Sequence, residues 1–326
     1  MIRTTAEVVD VHLDSSLLAE RLERDARDGL RSVPKALPPK WFYDERGSEL
    51  FEQITKLEEY YPTRREREIL GQRAVDVARL TGADTLVELG SGSSAKTSML
   101  LDAMTASGRG TKYVCFDVCL EAVQGAMARL AASYPGVELH GVVGDFEEHL
   151  SLLPTGGRRL IAFLGGTVGN LPPEKRRAFM SHLRSAVAPG EHLLLGADLV
   201  KDPVRLLSAY DDRGGVTAEF NRNLLRVLNV GLGGNFDDGR FGHVALWDPV
   251  EEWIEMRLRS ERDQVVDLEK IGLSVPFHAG EEMRTEISCK FRRELLESEL
   301  SDAGFAVRRW WTDSAGDFSL SLSEAV

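Results

Sequence analysis

Thr85-Leu86-Val87-Glu88-Leu89-Gly90-Ser91-Gly92-Ser93 decides the fold. An apolar run of strand length that stops at glycines reads as a strand buried inside a parallel sheet, and the glycines let the following backbone pass close to a ligand. Working outward, Lys96 to Ala106 has helical spacing at Met99, Leu100, Ala103 and Met104, and Tyr113-Val114-Cys115-Phe116-Asp117 is a second apolar run ending in an acid. Leu120 to Ala132 predicts an amphipathic helix, Val137 to Val143 a strand ending in Gly144-Asp145-Phe146, and Leu160 to Leu164 a strand broken by Gly165-Gly166. Pro173 to Val187 predicts a helix with proline at its start, and His192 to Leu195 a strand ending near Asp198. This alternation predicts an α/β fold with a Rossmann-like, doubly wound parallel sheet.

The flanks read differently. The N-terminal part predicts a helix over Leu17 to Leu30, a proline-rich turn over Pro34 to Pro39, then Trp41-Phe42-Tyr43; Thr63-Arg64-Arg65-Glu66 reads as a capping box that starts a helix after Pro62. Lys201 to Lys290 is richer in glycine and charge, with Gly231-Leu232-Gly233-Gly234-Asn235 as a loop and Trp253 to Leu258 alternating like an antiparallel strand, so it is expected to form an inserted α+β lobe. The end returns to the sheet pattern, with a helix over Arg293 to Ala303 and strands over Val307 to Thr312 and Phe318 to Leu322. The expected domains are an N-terminal segment 1–64 packing with the substrate domain, a core 65–198, an inserted substrate-binding domain 199–290, and a C-terminal helix and hairpin 291–326 that complete the core sheet.

The 326 residues, 43% of them hydrophobic, can bury one large core or two modest ones. The net charge of −12 disfavours nucleic acid as a partner, since phosphate-backbone affinity comes from clustered cations, and favours a small molecule. No run is apolar and long enough to span a bilayer, and Met1-Ile2-Arg3-Thr4-Thr5-Ala6-Glu7 lacks the layout of a secretion signal, so a cytoplasmic location is expected. Cys115, Cys119 and Cys289 have no histidine at ligand spacing and read as reduced thiols, with no metal site expected.

Gly90-Ser91-Gly92-Ser93-Ser94-Ala95 satisfies the dinucleotide Gly-x-Gly-x-x-Gly/Ala pattern as well as a glycine loop for S-adenosylmethionine. Glu88 before the first glycine, Asp117 ending the second strand and Asp145-Phe146 ending the third favour S-adenosylmethionine. Asp117 can accept from both ribose hydroxyls, Asp145 from the adenine amine, and Phe146 can lie against the ring. Any one of these carboxylates could be a helix N-cap or a loop acid; in register they are expected to face the nucleotide crevice. Lys96 could reach the cofactor's carboxylate or be a surface lysine. The fourth strand ends in Gly165-Gly166-Thr167-Val168-Gly169-Asn170-Leu171-Pro172-Pro173, which places Asn170 at the edge where a methyl acceptor must lie.

The chain closely resembles the actinobacterial histidine Nα-methyltransferases of ergothioneine biosynthesis, from about Leu30 to the end. The resemblance is carried by Leu37-Pro38-Pro39-Lys40-Trp41-Phe42-Tyr43-Asp44, Tyr60-Tyr61-Pro62-Thr63-Arg64, Val87 to Gly92, Gly144 to Leu150, Asp198-Leu199-Val200-Lys201-Asp202, Phe220-Asn221-Arg222-Asn223 and Trp310-Trp311-Thr312-Asp313. It implies a class I methyltransferase in which Gly90, Lys96, Asp117, Asp145 and Phe146 hold S-adenosylmethionine. It further implies that Asn170 and Tyr210 grip the amino-acid head group, that Tyr60, Glu286 and Ser288 place the imidazole with Ile287 between them, and that Met256 shapes the pocket. A carboxylate at Glu286 can accept an imidazole N–H, and Ser288 can donate or accept beside it.

The family's reaction, as the resemblance implies it, is three successive methylations of L-histidine to its betaine, hercynine, by a monomer with its active site between two lobes. The expected mechanism is in-line displacement by the neutral α-amine, driven by alignment and exclusion of water, with Asn170 as the orienting group and Tyr43 as a proton relay through water. Departures from the family pattern are Gly166 in place of Ser, Ala95 in place of Glu and Cys119 in place of Asp. The rivals are an amine methyltransferase for another amino acid or a protein amide, a silent S-adenosylmethionine-binding regulator, and a nicotinamide dehydrogenase.

Overall fold

The computed structural model describes residues 8–92, 96–108 and 111–326; Met1 to Glu7 and the loop residues Ser93, Ser94 and Ala95, including the Ala95 departure, lie outside the described residues. In chain order the elements are β1 (Val8–Val11), α1 (Ser15–Arg31), α2 (Glu45–Ile54), α3 (Pro62–Thr81), β2 (Thr85–Leu89), α4 (Thr97–Thr105), β3 (Thr111–Asp117), α5 (Leu120–Ser133) and β4 (Val137–Val143). They continue as β5 (Arg159–Phe163), α6 (Pro173–Ala186), β6 (His192–Asp198), α7 (Pro203–Tyr210), α8 (Val216–Leu232), β7 (Phe241–Asp248), β8 (Trp253–Ser260), β9 (Gln264–Leu268) and β10 (Leu273–Phe277). The chain closes with β11 (Glu282–Cys289), α9 (Arg293–Asp302), β12 (Phe305–Thr312) and β13 (Phe318–Ala325). No helix among the described residues is long and apolar enough to cross a membrane.

Two compact units form. Among the described residues, one comprises 8–13 with Pro62–Val200 and Phe291–Val326, and the other comprises Asp14–Tyr61 with Lys201–Lys290. In the first, the described residues form a sheet in the order β1-β4-β3-β2-β5-β6-β13-β12. The strands β1 to β6 run parallel to their neighbours, and β13 and β12 add antiparallel. β2 and β5 are buried at every position, as central parallel strands covered on both faces must be. β2 lies between β3 and β5, where the strand order reverses, so the loop after β2 opens at the crevice used by ligands in such sheets.

Two expectations need correction here. The first strand, β1, pairs with β4, so the described residues before Leu13 group with the sheet rather than with the segment that follows them. A four-residue edge strand with three exposed positions leaves little pattern to read. The helix α3 begins at Pro62, and Glu66 does not close a capping box: its carboxylate is completely buried and bonds elsewhere.

In the second unit β11-β8-β7 make an antiparallel sheet and β10-β9 a separate hairpin. Its core gathers Leu22, Ala26 and Leu30 of α1, Phe220, Leu224 and Leu228 of α8, and Ile254, Met256 and Leu258 of β8. The helix α8 replaces the start of the expected glycine loop and stops only at Gly233, whose φ of +66° suits the left-handed C-cap. A Cβ at Gly231 would lie 2.4 Å from Leu22, so this glycine allows close packing rather than a turn. Phe220, Leu224, Leu228 and Leu232 carried the helical spacing; Asn221 and Asn223, buried between them, obscured it.

Candidate active site

At the C-terminal edge of the parallel sheet, Asp117 closes the glycine turn. Its Oδ2 accepts from the Gly92 N–H at 3.0 Å and its Oδ1 from the Cys119 N–H at 3.2 Å. Gly90 and Gly92 adopt φ of +68° and +47°, values that a side chain would strain. Burial pushes the Asp117 carboxyl above its usual range, against the lowering pull of the Gly92, Cys119 and Val118 N–H groups. Further donors, such as ribose hydroxyls, would favour its charged form.

One strand over, Asp145 is buried; its carboxylate accepts from the Glu147 N–H at 2.9 Å, and its own N–H donates to His149 Nδ1 at 2.9 Å. The Phe146 ring, half-buried, packs edge-on against Phe163 and Phe179 at 5.3 and 5.6 Å, a fixed apolar wall beside Asp145. A buried carboxylate, an adjacent aromatic face and a glycine turn clamped by a second carboxylate fit the donors and ring of an adenosyl group. Glu88 does not face the crevice as expected. It is buried and accepts from Thr97 Oγ1 and from the Tyr113 hydroxyl at 2.7 Å, tying β2 to α4 and β3, and burial raises its pKa. Cys119, which departs from the family aspartate, is half-buried, and burial first of all pushes its thiol up to about 11.

Lys96 lies at the N-cap of α4 and is not a surface lysine: it pairs with Glu66 of α3. The other Glu66 oxygen accepts from the Gly165 N–H at 2.8 Å. Glu66 therefore ties Lys96 to the Gly165-Gly166 turn that leads to Asn170. Sequence reading missed this residue, although a signal existed: Glu66 shares the buried face of α3 with Ile69 and Leu70, and a charge on an apolar face requires a partner. Gly165 and Gly166 adopt φ of +80° and +73°, so glycine at the departing position 166 relieves a backbone strain that serine would carry. Asn170 ends the single helical turn Thr167–Asn170 that follows.

In the second unit, Tyr210 ends α7 and donates its hydroxyl proton to Ser288 Oγ at 2.7 Å. The buried Lys290 donates to Tyr210 Oη at 3.0 Å and to Ser288 Oγ at 2.8 Å. On the antiparallel pair, Glu286 stands opposite Met256, Ile287 opposite Glu255 and Ser288 opposite Ile254. Glu286 and Ser288 thus share a face of β11 by its two-residue period, and Ile287 takes the other face. Tyr60 meets the Tyr210 ring edge-on at 6.4 Å; Phe51 joins Tyr60 to Tyr43, which packs on Phe220 at 5.7 Å.

A buried polar chain supports this group; Asn221 stood in a stretch that carried the resemblance, but nothing in the sequence linked it to Thr285 or His243. Thr285 donates to Asn221 Oδ1 at 2.7 Å, Asn221 Nδ2 meets His243 Nδ1 at 2.9 Å, and His243 Nε2 meets the Tyr210 carbonyl at 2.8 Å. Donation from the Asn221 amide leaves His243 Nε2 as the N–H that binds the carbonyl, the tautomer of a neutral ring. Burial lowers the His243 pKa and holds that neutral form. The structure therefore gathers Tyr60, Tyr210, Met256, Glu286, Ile287 and Ser288 in one unit, and the cofactor candidates with Asn170 in the other.

Residues 22–325 match the model of a family described as histidine-specific, S-adenosylmethionine-dependent methyltransferases. The chain is 54% identical over 312 residues to the histidine N-alpha-methyltransferase of Mycolicibacterium smegmatis, covering 96% of this chain and 97% of that protein. It is 55% identical over 302 residues to the protein of the same name from Mycobacterium tuberculosis, covering 93% and 94%. Ergothioneine biosynthesis protein 1 of Neurospora crassa is 28% identical over 317 residues, which cover 95% of this chain and 35% of that longer protein.

Proposed function

From the premise that this chain belongs to the S-adenosylmethionine-dependent, histidine-specific methyltransferases, we propose that it methylates the α-amine of L-histidine three times, yielding hercynine for ergothioneine synthesis. The carrying observation is the joint presence of the clamped glycine turn with Asp117, Asp145 and Phe146 and, on one face of β11, Glu286 and Ser288 beside Tyr210.

S-adenosylmethionine, when bound, supplies an electrophilic methyl group on a sulfonium. Asp117 receives hydroxyl donors, Asp145 and Phe146 hold the base, and Gly90 lets the backbone approach. Lys96 pairs with a carboxylate, and Glu66 acts through Lys96 as a positioning residue. Glu286 and Ser288 address the two ring nitrogens, Met256, opposite Glu286, gives the pocket an apolar wall, Ile287 lies between them with its side chain on the other face of the strand, and Tyr60 packs behind Tyr210. Asn170 and Tyr210 hold the head group so that the amine lone pair is aimed, which lowers the barrier through orientation. Tyr43 is the candidate relay by which amine protons reach water in the first two methylations.

Mass spectrometry of the protein incubated with S-adenosylmethionine and each common amino acid tests the reading. Trimethylated histidine as the dominant product is expected. Methylation of another amino acid would overturn the imidazole pocket, and cofactor binding without product would indicate a regulator.

A further inference from the structure

Ser288 Oγ already accepts two hydrogen bonds, from the Tyr210 hydroxyl at 2.7 Å and from Lys290 Nζ at 2.8 Å. A hydroxyl has two lone pairs and one proton, so both acceptor positions are filled and the remaining bond can only be a donation. An ammonium has three donors and no acceptor, so Lys290 cannot reverse its contacts. Its charge is held 4.6 Å from the Tyr210 ring centroid, and the residue is 2% exposed.

We propose that Lys290 is a specificity-determining positioning residue: it fixes Ser288 as a donor, so that the pocket admits the imidazole of histidine in its neutral form, with the ring N–H given to Glu286 and the bare ring nitrogen receiving the Ser288 proton. The inference rests on the reading that Ser288 faces the imidazole. An imidazolium would bring a second N–H against an oxygen whose lone pairs are spent, next to an ammonium, and both effects oppose its entry. The electrostatic surroundings are Tyr210 from α7, His243 from β7 beneath the Tyr210 carbonyl, Glu255 from β8 opposite Ile287, and Glu286 and Cys289 on β11 itself. Glu286 is the charge that would favour the imidazolium, and Lys290 is the charge set against it.

Lys290→Met tests this, with Ser288→Ala and the double variant beside it. In the parent protein KM for histidine should rise about tenfold per pH unit below the imidazole pKa of about 6.5, while kcat changes less. A histidine analogue whose ring keeps an N–H but replaces the bare nitrogen by C–H should be about tenfold or more poorer in kcat/KM, the cost of an unmet donor. Lys290→Met should flatten the acid rise in KM and narrow that discrimination to within about threefold, because Ser288 is then free to accept, and Lys290→Arg should restore both. The double variant should match Ser288→Ala. Unchanged S-adenosylmethionine affinity and melting temperature show that the variants fold; if Lys290→Met does not, Lys290→Arg and the pH profile of the parent protein still decide. The proposal is overturned if the parent KM does not rise in acid, or if Lys290→Met keeps the parent profile and discrimination. Ser288→Ala with unaltered histidine KM would overturn instead the underlying placement of the imidazole.

Discussion

The sheet edge that carries the cofactor candidates and the polar cluster around Tyr210 are built in opposite ways. At the edge, Asp117 ends β3 and Asp145 follows β4 by two residues, and the backbone of a glycine turn supplies contacts to Asp117. Around Tyr210, the bonds that bring the elements together join residues far apart in the chain: Tyr210 to Ser288, Asn221 to Thr285, His243 to the Tyr210 carbonyl. A parallel sheet aligns its strand ends by its own hydrogen bonding, so local sequence suffices there; an antiparallel lobe brings its groups together only through register and helix packing.

Variants can sharpen or break this contrast. The largest effect is expected from Glu66→Ala, which leaves Lys96 without its buried carboxylate and should cost about 3–5 kcal/mol in denaturant unfolding. Glu66→Gln, which keeps an acceptor for Gly165, should cost less and weaken S-adenosylmethionine binding about tenfold. Asp117→Ala should weaken S-adenosylmethionine binding about 100-fold by calorimetry, from the loss of charge-assisted bonds and of the clamp on Gly92. A loss under tenfold would break the strand-edge reading. Glu286→Ala should raise the histidine KM about 10- to 100-fold while leaving cofactor affinity within twofold or so, and should narrow the kcat/KM gap to other amino acids.

Smaller still, Asn221→Ala leaves His243 Nδ1 and Thr285 without their partner and should cost about 1–3 kcal/mol, read as a lower melting temperature together with a higher histidine KM. The smallest effect is a pH dependence. His243 in one unit and His192 in the other have pKa values lowered chiefly by burial. Below about 6.5 the unfolded chain takes up protons that these folded sites refuse, so stability is full above that pH and is lost as pH falls toward the lowered values. Melting temperatures between pH 8 and 5 should fall on the acid side, and His243→Gln should reduce that slope; an unchanged slope would remove His243 from the account.

Much of the first unit was legible. Apolar runs with acids or glycines behind them marked β2 to β6, because burial on both faces leaves little choice of residue, and two strand-like runs around Ser314-Ala315-Gly316-Asp317 marked the closing hairpin. Glu88 shows the limit: an acid near a strand end also serves to tie strands to a helix, and only the Thr97 and Tyr113 contacts reveal which. Glu66 shows the same limit in reverse, since its spacing from Thr63 suggested a cap while its position on the face of Ile69 and Leu70 sent it inward.

By itself, then, the sequence determined the parallel sheet, the glycine turn and the strand-end acids Asp117 and Asp145, because these depend on patterns a few residues long. The tertiary structure alone decided that Glu66 holds Lys96, that Asn221 and His243 brace Tyr210, and that Lys290 fills the lone pairs of Ser288. Buried polar groups take whichever partners the fold brings within about 3 Å, and no local pattern encodes that choice.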